Sequence, residues 1–226
     1  MFKRKWVRRL AIATIAFLML PVPMILLLAV MQPPTTMMML SRAADRMGNG
    51  RKPIYPKRTI VSRNEISPLL RRAVLASEDD RFYLHSGFDF VEIDNAIARK
   101  KAGGKLRGAS TVTQQVAKNI FLWEGRSFIR KGFEAYLTVW LELLLSKDRI
   151  LDLYLNLAEW GDGVFGAEAA AQKHYGKSAS KLTREEAARL AAILPSPIRW
   201  SPNSSIAMQR AAIVLERMQS AAPRTE

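Results

Sequence analysis

An acidic cluster stands out in a chain that is otherwise strongly basic. Glu78, Asp79 and Asp80 are consecutive, and the next acidic residue, Asp89, follows His85, one of the two histidines in the chain. A carboxylate placed among cations can act as a general base on a substrate that the basic surface holds. The competing interpretation is the solvated end of a helix, where runs of charged residues usually lie.

A second group of residues could bind a phosphate. Arg130 and Glu134 are four residues apart and Lys131 and Glu134 are three apart, so all three would lie on one face of a helix. They are either routine surface ion pairs, which contribute little, or a cationic face that holds one carboxylate. Residues 110–119 place several polar side chains at a predicted helix start, where backbone N–H groups favour an anion, and Lys118 adds a full charge.

The bulk composition limits the classes of function. The chain has 226 residues and a net charge of +15, and 49% of its residues are hydrophobic, which is enough for one domain with a real core. It contains no cysteine, so thiolate nucleophiles, thiolate metal sites and disulfides are excluded. The positive charge predicts an anionic partner: a nucleic acid, an anionic membrane surface or a phosphorylated substrate.

The elements that must position these residues are predicted to be helices. Ser67 and Pro68 fit an N-cap and a first helical residue, and Thr183 with Glu186 fits a capping box. No run alternates convincingly between apolar and polar residues, which is the pattern of a half-buried strand. The other predicted helices are residues 91–101, 112–121, 130–145, 150–160, 167–175 and 206–218. The fold class is therefore predicted to be mainly α.

The N-terminus predicts a membrane anchor. Residues 1–9 carry five Lys and Arg side chains, and residues 10–31 carry no charged residue. About 20 apolar residues span a bilayer, and the basic flank predicts a cytoplasmic N-terminus. The competing interpretation is a cleaved signal peptide, but the apolar run is long for one and no good small-x-small cleavage site follows it. Pro21 and Pro23 predict a kink in this helix.

Two further regions follow the anchor. Residues 32–57 are predicted to be a connector. Its methionines 37–39 either lie at the membrane interface or belong to a helix that packs on the domain. Residues 58–226 are predicted to form a single globular domain outside the cytoplasm.

The motifs of this domain occur in an order that is typical of one family. They are, in chain order, E-D-x-x-F-x-x-H-x-G-x-D from Glu78, G-A-S-T-V-T-Q-Q-x-x-K-N from Gly108, R-K-x-x-E from Arg130 and L-E-x-x-x-S-K-x-x-I-L-x-x-Y-L-N from Leu141, with further matches at 161–177 and 186–197. The series covers roughly residues 66–202 and resembles the biosynthetic peptidoglycan glycosyltransferases. One departure is Ala109, which stands where the family usually has a second glycine.

The resemblance implies a lysozyme-like helical glycosyltransferase domain that polymerises glycan chains. The donor would be the growing chain on undecaprenyl pyrophosphate, and the acceptor would be the 4-hydroxyl of a second lipid II, with inversion to a β-1,4 linkage. In the family pattern Glu78 is the general base, supported by Asp79. His85 and Asn119 are implied to be further supporting residues.

The resemblance also implies that the protein stabilises a pyrophosphate leaving group by charge and hydrogen bonds. The residues implied to bind it are Ser110, Gln115, Lys118, Arg130 and Lys131. Glu134 corresponds to the second essential carboxylate of the family. It either orients the cations or coordinates a divalent cation, Mg²⁺ or Mn²⁺, and no other cofactor is expected.

Partners and location follow from the same resemblance. The expected partners are lipid II, undecaprenyl-pyrophosphate-linked glycan, membrane lipids and other cell-wall synthesis proteins, and not nucleic acid. The expected location is the inner membrane, with one span and a periplasmic domain. Because the chain ends soon after the last motif, the stand-alone form of the family is expected. Apolar residues 121–123, together with Phe128, are expected to dip into the lipid.

Two rival functions stay open at this point. The first is a membrane-anchored lytic enzyme that cleaves glycan, because a lysozyme-like fold suits cleavage as well as synthesis. The second is a non-catalytic module that binds glycan through its basic face.

Overall fold

The computed structural model describes residues 2–50, 57–104, 110–125 and 127–220, and it confirms a mainly helical fold. The helices are α1 Phe2–Met19, α2 Val22–Val30, α3 Met37–Gly48, α4 Pro68–Glu78, α5 Phe90–Lys101, α6 Val112–Phe121, α7 Phe128–Leu144, α8 Lys147–Leu157, α9 Ala167–Tyr175, α10 Arg184–Ile193 and α11 Ser205–Ser220. The strands are β1 Lys57–Arg58, β2 Glu159–Gly161 and β3 Val164–Phe165.

Local capping explains where the helices begin. Ser67 Oγ accepts the N–H of Leu69 at 3.2 Å, and Pro68 opens α4 as predicted. Thr111 and Gln114 form a reciprocal capping box that starts α6. Such caps satisfy N–H groups that the first helical turn leaves without partners.

The predicted helix at 150–160 is wrong at its C-terminal end. The helix α8 ends at Leu157, because Glu159–Gly161 forms a strand of a small sheet of order β1-β3-β2. In this sheet β1 runs parallel to β3, and β2 is antiparallel to β3. Strands of two or three residues are too short to show an alternating pattern, so the sequence could not reveal them.

The core is built from two groups of packed helices. In one group α6 packs on α3, α7 and α8, and in the other α4, α10 and α11 pack on one another. Val112, Val116, Ala117 and Ile120 of α6 are all buried, and Trp160 is the largest fully buried side chain. A helix that is buried on most of its surface is held rigidly, so polar residues on α6 are well placed to form a site.

The apolar N-terminal segment, Lys5–Val30, is long and apolar enough to cross a membrane. It is interrupted between α1 and α2 at Pro21, which has no N–H to continue the helical hydrogen bonds. The carbonyl of Leu18, near this break, accepts the Tyr136 hydroxyl of α7 at 2.6 Å. Ile25 and Leu28 of α2 are buried against the domain. The second half of the apolar segment is therefore part of the domain's packing.

The described part of the connector contains a helix that packs on the domain. Met38 and Met39 of α3 are buried, and α3 contacts α6. Arg42 of α3 forms an ion pair with Glu159 at 2.9 Å. Of the two interpretations of the methionine cluster, the packed helix is the one that the structure shows.

Gly87 offers a test of the packing between the acidic stretch and α7. It has φ +86°, and a Cβ added there would lie 2.7 Å from Thr138 Cγ2. Gly103 has a similar φ of +81° but no atom within 4 Å of a Cβ. We expect Gly103→Ala to cost about 1 kcal/mol of unfolding free energy through its backbone alone, and Gly87→Ala to cost roughly 1–3 kcal/mol more through the clash. Thermal unfolding of the two variants checks this, and equal costs would contradict it.

Candidate active site

Glu78 is the last residue of α4, where the acidic stretch leaves the helix. Its Oε2 accepts a hydrogen bond from Gln115 Nε2 of α6 at 3.0 Å, and its Oε1 accepts one from Ser77 Oγ at 3.2 Å. The residue as a whole is half-buried. The structure therefore contradicts the interpretation of Glu78 as the freely solvated end of a helix, whereas Asp80 is exposed.

The surroundings of Glu78 change the basicity of its carboxylate. Burial raises the pKa of its carboxyl group. The hydrogen bonds from Gln115 and Ser77 and the charges of Arg210 and Lys118 oppose this rise. A raised pKa makes the carboxylate a stronger base toward the proton of a bound hydroxyl group, which favours proton transfer in a transition state.

Gln115 is oriented by a residue that the sequence interpretation gave no role. The hydroxyl of Tyr154 in α8 donates to Gln115 Oε1 at 3.1 Å, so the amide Nε2 points at Glu78. Tyr154 is fully buried, and burial raises its pKa well above the ordinary value, so the hydroxyl stays a neutral donor. The only signal in the sequence was the position of Tyr154 in the fourth motif. The structure places Gln115 on Glu78, whereas we had expected it on the pyrophosphate.

Asp79 and His85 hold the acidic stretch against α6. Asp79 Oδ1 lies 2.9 Å from His85 Nε2, and Asp79 Oδ2 accepts the N–H of Val112 at 2.9 Å. Asp89 accepts the N–H of Glu92 as the N-cap of α5. These contacts fix the segment next to Glu78, and the supporting role of Asp79 and His85 in the reaction stays a prediction.

One carboxylate–histidine group within the described ranges has spacing that could hold a metal ion: Asp79, His85 and Asp89, with ligand atoms within 4.8 Å of one another. Each oxygen of Asp79 already has a hydrogen-bond partner, and Asp89 pairs with Arg81 at 3.1 Å. The group therefore forms an internal network, in which His85 Nδ1 and Asp89 Oδ2 are buried without a hydrogen bond.

Glu134 lies at the centre of the cationic cluster, with only 3% of its surface exposed. Arg130 Nη1 donates to Glu134 Oε2 at 2.8 Å, and Lys131 Nζ pairs with Glu134 Oε1. Lys131 Nζ also donates to Ser110 Oγ at 3.2 Å. Four of the predicted site residues therefore come together, which the spacing in α7 had suggested for three of them.

Lys118 connects this cluster to Glu78. Burial lowers the pKa of Lys118, and the charges of Glu134 and Glu78 both oppose that shift. The same ammonium group lowers the pKa of Glu78. Lys118 is therefore close enough to both carboxylates for its charge to act on each of them.

The residues around Glu134 do not suit a divalent cation. Its two oxygens are taken by Arg130 and Lys131, and the charge of Lys118 acts on it as well. A metal ion bound to Glu134 would lie among three positive side chains, which repel it. The contacts favour the other alternative, in which Glu134 orients the cations.

Two expectations about neighbouring residues need qualification. Asn119 is buried in α6, and its side chain has no hydrogen bond to the cluster among the described contacts. The expected lipid-dipping stretch is wrong in part, because Leu122 is buried and Phe121 packs on the core. Only Trp123, 47% exposed, and Phe128, 98% exposed, present apolar surface outward.

The arrangement combines a base with an anion site. Glu78 can accept a proton from a hydroxyl group. Lys118, Arg130 and Lys131 can hold a phosphate group that departs with negative charge. Both parts are mounted on helices, which fixes their relative positions. A transfer reaction with a phosphate leaving group needs these two functions in one site.

Comparison with known proteins points to the same chemistry. The family model described as Transglycosylase matches residues 44–219. A biosynthetic peptidoglycan transglycosylase of Pseudomonas entomophila is 52% identical over 194 residues, which cover 86% of this chain and 82% of that protein. Proteins of the same name from Pseudomonas putida and Pseudomonas aeruginosa are 50% identical over 195 residues (86% and 82% covered) and 45% identical over 218 residues (95% and 93% covered). This chain belongs to the transglycosylase family.

Proposed function

We propose that this chain polymerises peptidoglycan glycan strands from lipid II. The observation that carries the proposal is the position of Lys118 on α6, one turn from Gln115, which donates to Glu78, with a charge that acts on both Glu78 and Glu134. That position joins a base for a sugar hydroxyl to a site for a pyrophosphate. The names of the relatives support the same substrate class.

The reaction transfers the growing glycan from its undecaprenyl pyrophosphate to the 4-hydroxyl of a second lipid II. Glu78 accepts the hydroxyl proton while the oxygen attacks the anomeric carbon. The bond from that carbon to the pyrophosphate breaks, and its electron pair leaves with the pyrophosphate. Lys118, Arg130 and Lys131 stabilise that charge without having to donate a proton. Attack from the opposite face inverts the anomeric centre.

The location that we propose is the inner membrane, with the N-terminus in the cytoplasm and the domain in the periplasm. The basic residues before the apolar segment Lys5–Val30 support this orientation. Both substrates carry lipids, so tethering to the same surface raises their effective concentration. A reporter that is active only in the periplasm, fused after Glu226, tests the orientation. Activity only of a cytoplasmic reporter would overturn it.

The function is tested with the purified full chain in detergent. We expect labelled lipid II to become long glycan that lysozyme digests, and purified cell-wall sacculi to stay insoluble. Release of soluble fragments from sacculi would favour the lytic alternative. Failure to make glycan, with glycan binding retained, would favour the binding module.

A further inference from the structure

Glu78 lies where the carboxyl ends of two helices meet. It ends α4, and the hydroxyl of Ser77 beside it lies 3.2 Å both from Glu78 Oε1 and from the carbonyl oxygen of Ala191 in the last turn of α10. The carboxyl end of a helix carries partial negative charge. Two such ends disfavour an ionised carboxylate, so the site needs positive charge if Glu78 is to act as a base.

Arg210 of α11 supplies a cation at this point. Its Nε donates to the carbonyl oxygen of Ala192 at 3.2 Å, one residue beyond the carbonyl that Ser77 contacts. Its guanidinium group lies over the ring of Trp200, 5.3 Å from the centroid. A hydrogen bond and a stacking contact together restrict the orientation of the planar group. The charge of Arg210 acts on Glu78 and lowers its pKa, against the stronger effect of burial.

We propose that Arg210 is a positioning residue for the base: it neutralises the carboxyl end of α10 and keeps Glu78 ionised for proton transfer. This inference rests on the proposed function, because it requires that Glu78 accept a proton. Arg210 lies beyond the motifs that carry the family resemblance, which end near residue 202. The resemblance therefore assigns it no role.

Few other groups could control the ionisation of Glu78. Among the described residues, the charged or titratable groups around it are Asp79 and His85 on its own segment, Lys118 on α6, Tyr154 on α8, and Arg210 and Arg217 on α11. Asp79 is already bonded to His85, and Tyr154 stays neutral. Because Lys118 also serves the Glu134 cluster, Arg210 is the cation whose removal reports most directly on Glu78.

The test is the pH dependence of lipid II polymerisation by the full chain with Arg210→Gln. Removing a nearby cation raises the pKa of Glu78, and the base works only when it is ionised. The acidic limb of the rate profile must therefore move to higher pH. We expect a rate about tenfold below wild type on the acidic side and recovery toward wild type at alkaline pH. Arg210→Lys keeps the charge and should restore most of the acidic limb.

Arg72→Gln is the matched control. Arg72 Nη2 donates to the carbonyl of Met218 at 2.9 Å, so it also joins α4 to α11 through a carbonyl group. Its loss should leave the acidic limb in place. A uniform loss of rate at every pH in Arg210→Gln, with no rescue by Lys, would show a structural role and overturn the inference. A wild-type chain that makes no glycan would instead overturn the proposed function and, with it, this inference.

Discussion

Replacing Glu78 by Gln is expected to abolish glycan synthesis. The rate should fall by about 10²–10⁴-fold, because Gln keeps the size of the side chain but cannot accept the proton of the acceptor hydroxyl. The carboxylate of Glu78 is also the group that Gln115 and Ser77 hold in place. The measurement is the initial rate at which the purified full chain converts labelled lipid II into lysozyme-sensitive glycan, with thermal unfolding to verify that the variant is folded.

Asp80→Asn is the matched control for this experiment. Asp80 belongs to the same acidic run, but it is exposed, and no side-chain hydrogen bond involves it among the described contacts. Its loss should change the rate little. If Glu78→Gln and Asp80→Asn both made glycan at the wild-type rate, Glu78 could not be the base, and Glu134 would become the candidate.

Replacing Glu134 by Gln should damage stability and activity together. The buried carboxylate balances Arg130 and Lys131, and removing one partner of such a group leaves uncompensated charge. Breaking a buried ion pair typically costs about 3–5 kcal/mol of unfolding free energy. Because the side chain of Lys131 is 45% exposed, we expect a cost near the lower end of that range, about 3 kcal/mol. The cations would also lose their alignment on the pyrophosphate. If the substitution removes about 3 kcal/mol of transition-state stabilisation, the rate of glycan synthesis falls roughly 100-fold.

Glu142→Gln separates the structural part of that effect from the functional part. Glu142 also lies on α7 and accepts hydrogen bonds from Lys147 at 2.8 Å and from Thr113 at 2.5 Å. The Glu142→Gln substitution should lower the unfolding temperature, while the molecules that stay folded keep the wild-type activity. If the two variants lost the same activity per folded molecule, the cluster around Glu134 would have no special role in the reaction.

Features that depend on neighbours in the sequence could be predicted. The bounds of α6 and α9 match the prediction at both ends, since the capping box of α6 and the glycines that flank α9 are local features. The grouping of Arg130, Lys131 and Glu134 also followed from helical spacing alone. These contacts need only one helix to form, so their geometry is contained in a few consecutive residues.

Features that depend on distant parts of the chain could not be predicted. Gln115 and Glu78 are 37 residues apart, and Tyr154 and Gln115 are 39 apart, so their bonds exist only once three helices pack together. The contact of Arg210 with Ala192 likewise depends on how α11 crosses α10. Sequence spacing therefore indicated which residues could carry the chemistry, but not which ones control the base.

The packing of α2 on α7 has a consequence for how deeply the domain would be immersed in a lipid bilayer. The uncharged run before Pro21 begins at Leu10 and rises only about 16 Å, whereas a hydrocarbon core is about 30 Å thick. If the segment spans the bilayer, α2 must complete the crossing. The face of α7 that α2 covers then lies within the outer leaflet, and the exposed Phe128 and Ile129 at the start of α7 belong to the same helix as the cationic cluster. The immersion depth of the enzyme would thus be set by its fold, because α7 carries both the contact with α2 and the cationic cluster.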